Sequence, residues 1–250
     1  MRKLPIFFLA GFSALVFSPS CKTFYQPGSV QFADYRLNQS YAKDSAILVM
    51  LKPYADSVNN SMNDIVGTAA IVLEKKQPEG TLGNFLVDAM LVMAKEKYKI
   101  PVDAAFINNG GIRLPSIAPG NITKGKVFEL APFDNLIVLQ KMSGKVLQQF
   151  LDHVSTMGGW PSANVSWQIK DKKAVKVMIN GFPINETTIY TVANNDYVAN
   201  GGDNCSMLRP IPQISNGYVF RDAILDYLKI LTAAGKTVSA KNENRVTYAE

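Results

Sequence analysis

Residues 165–181 read VSWQIKDKKAVKVMING. Val165, Trp167 and Ile169 alternate with polar neighbours, and Ala174 to Ile179 forms a second β-prone run after the basic break Lys170 to Lys173. Side chains along a strand point to opposite faces in turn, so this alternation predicts a half-buried strand, and two such runs around a short polar break predict a hairpin. Asn180-Gly181 then marks a tight turn into further strand, because both residues tolerate the positive φ that such turns require. Strands that pair with their immediate neighbours build antiparallel sheet. The fold class expected is therefore α+β, not a doubly wound parallel sheet, provided that helices intervene elsewhere.

They do. On the N-terminal side Asp44 can cap a helix in which Ile47, Leu51, Tyr54, Val58 and Met62 recur three and four apart, with an interruption expected near Pro53. A strand from Thr68 to Leu73 should follow. Thr81 opens a second helix with Leu82, Phe85, Leu86, Ala89 and Met93 on one face, and Val102 to Ile107 reads as a buried strand. A short helix starts at Thr123, the strand Leu136 to Lys141 comes next, and Ser143 caps a helix whose core face is Val146, Leu147, Phe150, Leu151 and Val154. Beyond the opening stretch come the strand Thr188 to Ala193, a loop from Asn194 to Met207, a helix from Val219 to Leu231 and a terminal strand, Arg245 to Tyr248.

The chain has 250 residues, 47% of them hydrophobic and 18% charged, enough for a core of its own. One histidine, His153, and two cysteines, Cys21 and Cys205, exclude a histidine-rich dinuclear metal centre, a zinc ribbon and a disulfide framework by ligand count. The formal charge of +6 is scattered, with no basic stripe to suggest a nucleic-acid polymer as partner. Arg2 and Lys3 precede an apolar run, Leu4 to Phe17, then Ser18, Pro19, Ser20 and Cys21. A bilayer core of roughly 30 Å needs about 20 apolar residues, so this run reads as a signal peptide over residues 1–20. A cysteine at its end matches, loosely, a lipobox. Lipidation of Cys21 and a tether over residues 21–40 are expected, with a membrane-anchored, exported, periplasmic or cell-surface domain over residues 41–250. Cys205 is then left without a partner and reads as a buried thiol.

Three loops combine permissive backbone with ligand-ready side chains. Asn108-Asn109-Gly110-Gly111-Ile112-Arg113 offers close backbone approach and a guanidinium fork for hydroxyl, phosphate or carboxylate oxygens. Ala131-Pro132-Phe133-Asp134-Asn135 places a ring and an amide ahead of a strand. Asp196-Tyr197-Val198-Ala199-Asn200-Gly201-Gly202-Asp203 brackets two glycines with a ring and a carboxylate. Phe133 and Tyr197 could stack on a flat heterocycle through their faces, without use of the tyrosine hydroxyl, and Asp203 could accept from vicinal sugar hydroxyls. A glycine turn, a core-edge plug and a self-capped turn are the structural alternatives for the three loops.

Leu82-Gly83-Asn84 with Asp88-Ala89-Met90, then Asn108 to Arg113, Pro132-Phe133 with Asn135, and Gly201-Gly202-Asp203, in this order and spacing, resemble the C-terminal domain of the 5'-nucleotidase family. That family includes UDP-sugar hydrolases, 2',3'-cyclic-nucleotide phosphodiesterases and ecto-5'-nucleotidases. The resemblance covers roughly Asp44 to Tyr248. It implies layered helices with two mixed sheets, and a domain that binds the base and ribose of a nucleotide or nucleoside. On that reading Asn108 and Arg113 contact substrate, Phe133 and Tyr197 stack on the base, Asn135 hydrogen-bonds it, and Asp203 holds the ribose. Relatives commonly carry a further arginine just before the Leu-Gly-Asn motif, where this chain has Lys75 and Lys76, which supply charge but no bidentate fork.

Hydrolysis in the family belongs to a metallophosphoesterase domain whose divalent metals are held by Asp, Asn and several His. His153 alone cannot form one, so no catalytic residue, metal or cofactor is assigned to this chain. The expectation is the recognition half of a split 5'-nucleotidase with a separately encoded metallophosphoesterase. A solitary nucleotide-binding lipoprotein and a degenerate structural module remain the alternatives.

Overall fold

The computed structural model describes residues 28–29, 31–34 and 42–250. The expected signal peptide, Cys21 and most of the expected tether lie outside the described residues. The chain divides into two units, Met1–Leu48 and Val49–Glu250. In the first, Asp44 Oδ1 accepts from the amides of Ala46 and Ile47 at 2.9 and 3.2 Å, and so caps helix α1 (Ser45–Met62). The helix runs through Pro53 without the expected interruption. Its apolar residues Leu51, Tyr54 and Val58 are exposed.

In the second unit the chain continues as β1 (Ile65–Ala69), β2 (Leu73–Glu74), α2 (Thr81–Tyr98), β3 (Ala104–Phe106), β4 (Ser116–Ile117), β5 (Gly120–Thr123) and α3 (Lys124–Leu130). Then come β6 (Ile137–Ser143), α4 (Gly144–Thr156), β7 (Ser162–Ala163), β8 (Val165–Lys170), β9 (Lys173–Ile179) and β10 (Phe182–Pro183). The last elements are β11 (Ile189–Asn195), α5 (Asp196–Ala199), β12 (Gln213–Ile214), α6 (Phe220–Ala233) and β13 (Val246–Tyr248). The strand expected over Thr68 to Leu73 is displaced to β1, because β1 pairs with β5 and Ala70 turns away to bond Val238.

The fold is α+β with two mixed sheets. A five-stranded sheet in the order β12-β6-β11-β3-β7 is antiparallel except for the parallel β11–β3 pair. A four-stranded sheet, β10-β9-β8-β13, contains the predicted hairpin, with Asn180 and Gly181 at φ 51° and 81°. β13 is added parallel to β8. The short pairs β1–β5 and β2–β4 stand apart.

Alternation along the central strands explains why Ala104 to Ile107 is apolar without a break. Ala105 and Ile107 belong to a core shared with Leu82, Leu86 and Met90 of α2 and Ile224 and Leu228 of α6. Ala104 and Phe106 face a second core with Phe150 and Val154 of α4 and Trp167 of β8. Both faces of the five-stranded sheet are therefore covered, and its strands lose the polar face of a half-exposed sheet. Phe106, Phe150 and Trp160 meet edge-on, with centroids 5.1 and 5.8 Å apart.

The Leu82-Gly83-Asn84 motif serves this packing. Leu82 is fully buried, and a Cβ on Gly83 would lie 2.6 Å from Pro161 Cγ, so helix and loop close only over glycine. Asn84 Nδ2 donates to Glu79 Oε1 and to the Lys241 carbonyl. Glu79 in turn accepts from the amides of Glu243 and Arg245. Asp88 forms a two-pronged pair with Arg245 at 2.7 and 2.8 Å. Burial penalises the Arg245 charge, but its hydrogen bonds to Asp88 and Glu243 outweigh that and hold its pKa above the ordinary value. The motif thus clamps the segment that leads into β13. Arg245→Ala is expected to destabilise the domain by about 1.5 to 3 kcal/mol, the range for a hydrogen-bonded charged pair. Chemical denaturation of Arg245→Ala, Asp88→Ala and the double variant checks this, and strict additivity of the two losses would show that the pair does not act as a unit.

Candidate functional site

Three chain segments reach one end of the five-stranded sheet. β3 and β11 run parallel, so Asn108 and Asn195 to Tyr197 emerge side by side at their C-terminal ends. β6 is antiparallel to β11 and pairs Ile137 with Asn195, which brings the preceding turn, residues 131–135, to the same end. Together these segments enclose a cleft of 360 Å³ lined by Asn108, Gly110, Gly111, Arg113, Phe133, Asn135, Tyr197 and Asp203. All six residues singled out in the sequence as substrate contacts line it. The volume suits a small organic ligand.

A hydrogen-bonded chain fixes its polar floor. Asn195 caps α5 by accepting from the Val198 amide at 2.8 Å, and its Nδ2 donates to Asn108 Oδ1 at 2.9 Å. Asn108 Nδ2 donates to Asp203 Oδ2 at 2.7 Å, and the Tyr197 hydroxyl donates to Asp203 Oδ1 at 3.0 Å. The Asp203 amide returns a bond to the Tyr197 hydroxyl at 3.2 Å. The loop expected from Asn194 to Met207 is therefore a compact series of short helical turns. The Tyr197 hydroxyl is more than a passive addition to a ring face: it orients the carboxylate. Each Asp203 oxygen accepts one bond here, and each retains acceptor capacity for a ligand hydroxyl.

Two glycines allow these contacts. A Cβ on Gly111 would lie 2.8 Å from Asn108 Oδ1, and one on Gly202 would lie 2.5 Å from the Tyr197 ring. Any side chain at Gly202 would push the ring out of place.

Phe133 and Tyr197 are 48% and 46% exposed, so about half of each large apolar side chain is available to a ligand. The Asn135 side chain forms no hydrogen bond among the described residues, while its carbonyl accepts from the Phe220 amide at 2.8 Å. The Arg113 guanidinium lies 5.7 Å from the Phe133 ring centroid and has no ion-pair partner among the described residues. Lys75 Nζ donates to the Ile112 carbonyl at 2.9 Å. Burial, and then the Arg113 charge, lower its pKa. Lys76 turns away to Glu74. Of the two lysines weighed as a substitute for an arginine, Lys75 is the one beside the cleft. Cys205 is fully buried, and burial with the nearby Asp203 carboxylate pushes its thiol up to about 12, as expected of an inert side chain.

Among the described residues no group of three or more His, Cys, Asp and Glu side chains is placed to hold a metal ion. The donor set of the described residues does not fit a two-metal hydrolytic centre.

Residues 60–210 match the family model of the 5'-nucleotidase C-terminal domain. The chain belongs to the 5'-nucleotidase family. It is 31% identical over 218 residues to the trifunctional nucleotide phosphoesterase protein YfkN of Bacillus subtilis, covering 78% of this chain and 14% of that protein. It is 31% identical over 145 residues to protein UshA of Escherichia coli, covering 56% and 26%. Among solved structures, a 5'-nucleotidase precursor from Thermus thermophilus superposes with a TM-score of 0.69 at 28% identity, covering 80% of this chain and 42% of that one. The chain therefore spans less than half the length of these 5'-nucleotidase relatives.

Sequence reasoning missed two supports of this 5'-nucleotidase domain's cleft. Asn195 fell inside a presumed loop, although an Asn before Asp196 and two apolar residues is a cap signature. Arg221 of α6 had no local signal. Its guanidinium stacks 4.2 Å over the Phe128 ring, donates to the carbonyls of Ala131, Pro132 and Phe133, and pairs with Asp134. The side chain is only 12% exposed. It fastens the turn that presents Phe133. Arg221→Ala is expected to cost about 1.5 to 3 kcal/mol and to loosen that turn. Hydrogen exchange at the Leu136 and Phe220 amides, which bond Asp196 and Asn135 across the turn, would rise; unchanged protection at both would refute the role.

Proposed function

We propose that this chain is the nucleotide- or nucleoside-recognition half of a split 5'-nucleotidase. The observation that carries the reading is the convergence of Asn108, Arg113, Phe133, Asn135, Tyr197 and Asp203, from three separate segments, on one cleft. The base packs against Phe133 and Tyr197, and Asn135 bonds its edge with an amide that has no partner among the described residues. Asp203, oriented by Asn108 and Tyr197, accepts from the ribose hydroxyls. Arg113, with Lys75 beside it, meets the phosphate. A separately encoded metallophosphoesterase supplies the divalent metals and the hydrolysis.

The protein is exported and anchored through lipidated Cys21. The support is the basic, apolar and small-residue order of residues 1–21, together with 29% identity over 186 residues to cell wall protein Lmo0130 of Listeria monocytogenes. No helix among the described residues is long and apolar enough to cross a membrane. Detergent partitioning checks the anchor: Cys21→Ser should move the protein to the aqueous phase, and a processed Cys21→Ser form that stays with the membrane would disprove lipidation.

Calorimetric titration of the purified chain with adenosine, uridine and their monophosphates tests the site. Phe133→Ala and Tyr197→Ala should each cost about 1 to 3 kcal/mol, the usual range for one stacked base. That corresponds to about five- to 150-fold in Kd. Asp203→Asn should narrow the preference for ribose over 2'-deoxyribose. Alanine variants that melt earlier but bind as the wild type does would reduce both rings to core-edge plugs. Binding that no metallophosphoesterase expressed from a neighbouring reading frame converts to hydrolysis would favour the solitary binding protein.

A further inference from the structure

His153 does not line the cleft, yet it grips the residue on which ribose recognition depends. Its Nε2 lies 2.8 Å from the backbone carbonyl oxygen of Asp203, fifty positions away in sequence. A carbonyl oxygen can only accept, so Nε2 carries the proton. The neutral ring is the Nε2–H tautomer, and a charged ring would donate equally well.

Asp203 needs such a grip. Its backbone is left-handed, φ 50° and ψ 33°, in a run where Gly201 and Asn204 also have positive φ. Asp enters that conformation more readily than most residues, but it still costs free energy that contacts from its surroundings must offset. The Asp203 amide and carboxylate are held by Tyr197 and Asn108, which are themselves parts of the cleft. The carbonyl is held by α4, which is anchored through Leu147, Phe150, Leu151 and Val154 in the second core. Cys205 Sγ, 3.9 Å from the same oxygen, is a weak contact by comparison. Without the imidazole, the 203–204 peptide keeps only the turn bond from the Cys205 amide to the Gly202 carbonyl at 3.0 Å and the weak thiol contact, so it can tilt and carry the carboxylate off its aim.

We infer that His153 is a positioning residue for ribose recognition, acting through the Asp203 backbone. The inference rests on the proposed nucleoside site. Its test compares His153→Leu, which keeps bulk and removes the donor, with His153→Gln, whose amide can still donate. Each form of the full chain is titrated with adenosine and uridine, their 2'-deoxy counterparts, and adenine and uracil. The expected result for His153→Leu is an about ten-fold loss for ribonucleosides. The free bases should change by less than about two-fold, the ribose preference should shrink, and His153→Gln should restore most of it. A merely structural role would weaken all ligands alike, in step with the melting temperature, and would overturn the inference. So would a ribose preference intact in His153→Leu. A wild-type chain that binds no nucleoside would overturn the proposed function itself, and this inference with it.

If His153→Leu does not fold, the wild-type chain still decides. A single histidine gives one set of imidazole ¹⁵N signals. These should report the Nε2–H tautomer in the neutral ring and should move with adenosine far more than with adenine. The opposite tautomer, or signals indifferent to adenosine, would refute the role.

Discussion

The parallel pairing of β3 with β11 is the constraint from which the site follows. Val192 opposite Ala104, and Ala193 opposite Ala105, set two strands of distant sequence to end at the same level. Only then can Asn195 Nδ2 reach Asn108 Oδ1, and Asn108 Nδ2 reach Asp203. A slip of one residue would reverse every side chain on β3, sending Phe106 into the wrong core and Asn108 away from its partner. Burial on both faces makes such a slip costly, so the cores that stabilise the sheet also fix the geometry of the cleft.

The arrangement divides stiffness from adaptability. Asp203, Asn108 and Asn195 orient one another and form a preorganised polar floor, which spares a ligand the cost of ordering them. Phe133 and Tyr197 rise from that floor half exposed, each secured at its base, Phe133 by Arg221 beneath its turn and Tyr197 by its hydroxyl on Asp203. Rings held this way can offer a face to a flat ligand without demanding particular edge groups. On the proposed reading, discrimination among bases falls to Asn135, whose amide can both donate and accept.

What could be read from the sequence was what short-range interactions decide. The caps at Asp44 and Ser143 were expected and are present, and the short helix expected to start at Thr123 begins after it with Thr123 as its cap, each side-chain oxygen on an amide two or three residues ahead. The Asn180-Gly181 turn formed for an equally local reason. The six cleft residues were legible because glycines and rings clustered in three loops and the ordered motifs matched a family. Contacts across the fold were not legible. Arg221 meets the turn at residues 131–134, and Arg245 meets Asp88 across 157 positions; nothing in either arginine's own neighbourhood identifies its partner. Asp203 carried a signal for its carboxylate but none for its carbonyl. Helix α1 failed the periodicity argument differently, since its apolar spacing produced a helix while leaving Tyr54 and Val58 exposed.

The electrostatics of the rim point the same way as the floor. Lys75, on the Ile112 carbonyl, stands beside the cleft residue Arg113, with no carboxylate among the described residues paired to either. Burial and the guanidinium both disfavour the Lys75 ammonium, which is why its pKa falls. Two like charges held together gain little for folding. They gain much from an anion, which relieves their repulsion and restores the solvation that burial removed. On the proposed reading that anion is the phosphate, and its binding draws Lys75 back toward its ordinary pKa. The cleft would then hold base and sugar on a floor that is neutral apart from one carboxylate. The phosphate would rest on cations that polarise it without cleaving it, leaving the reacting bond at the rim, open to a partner that carries the metals.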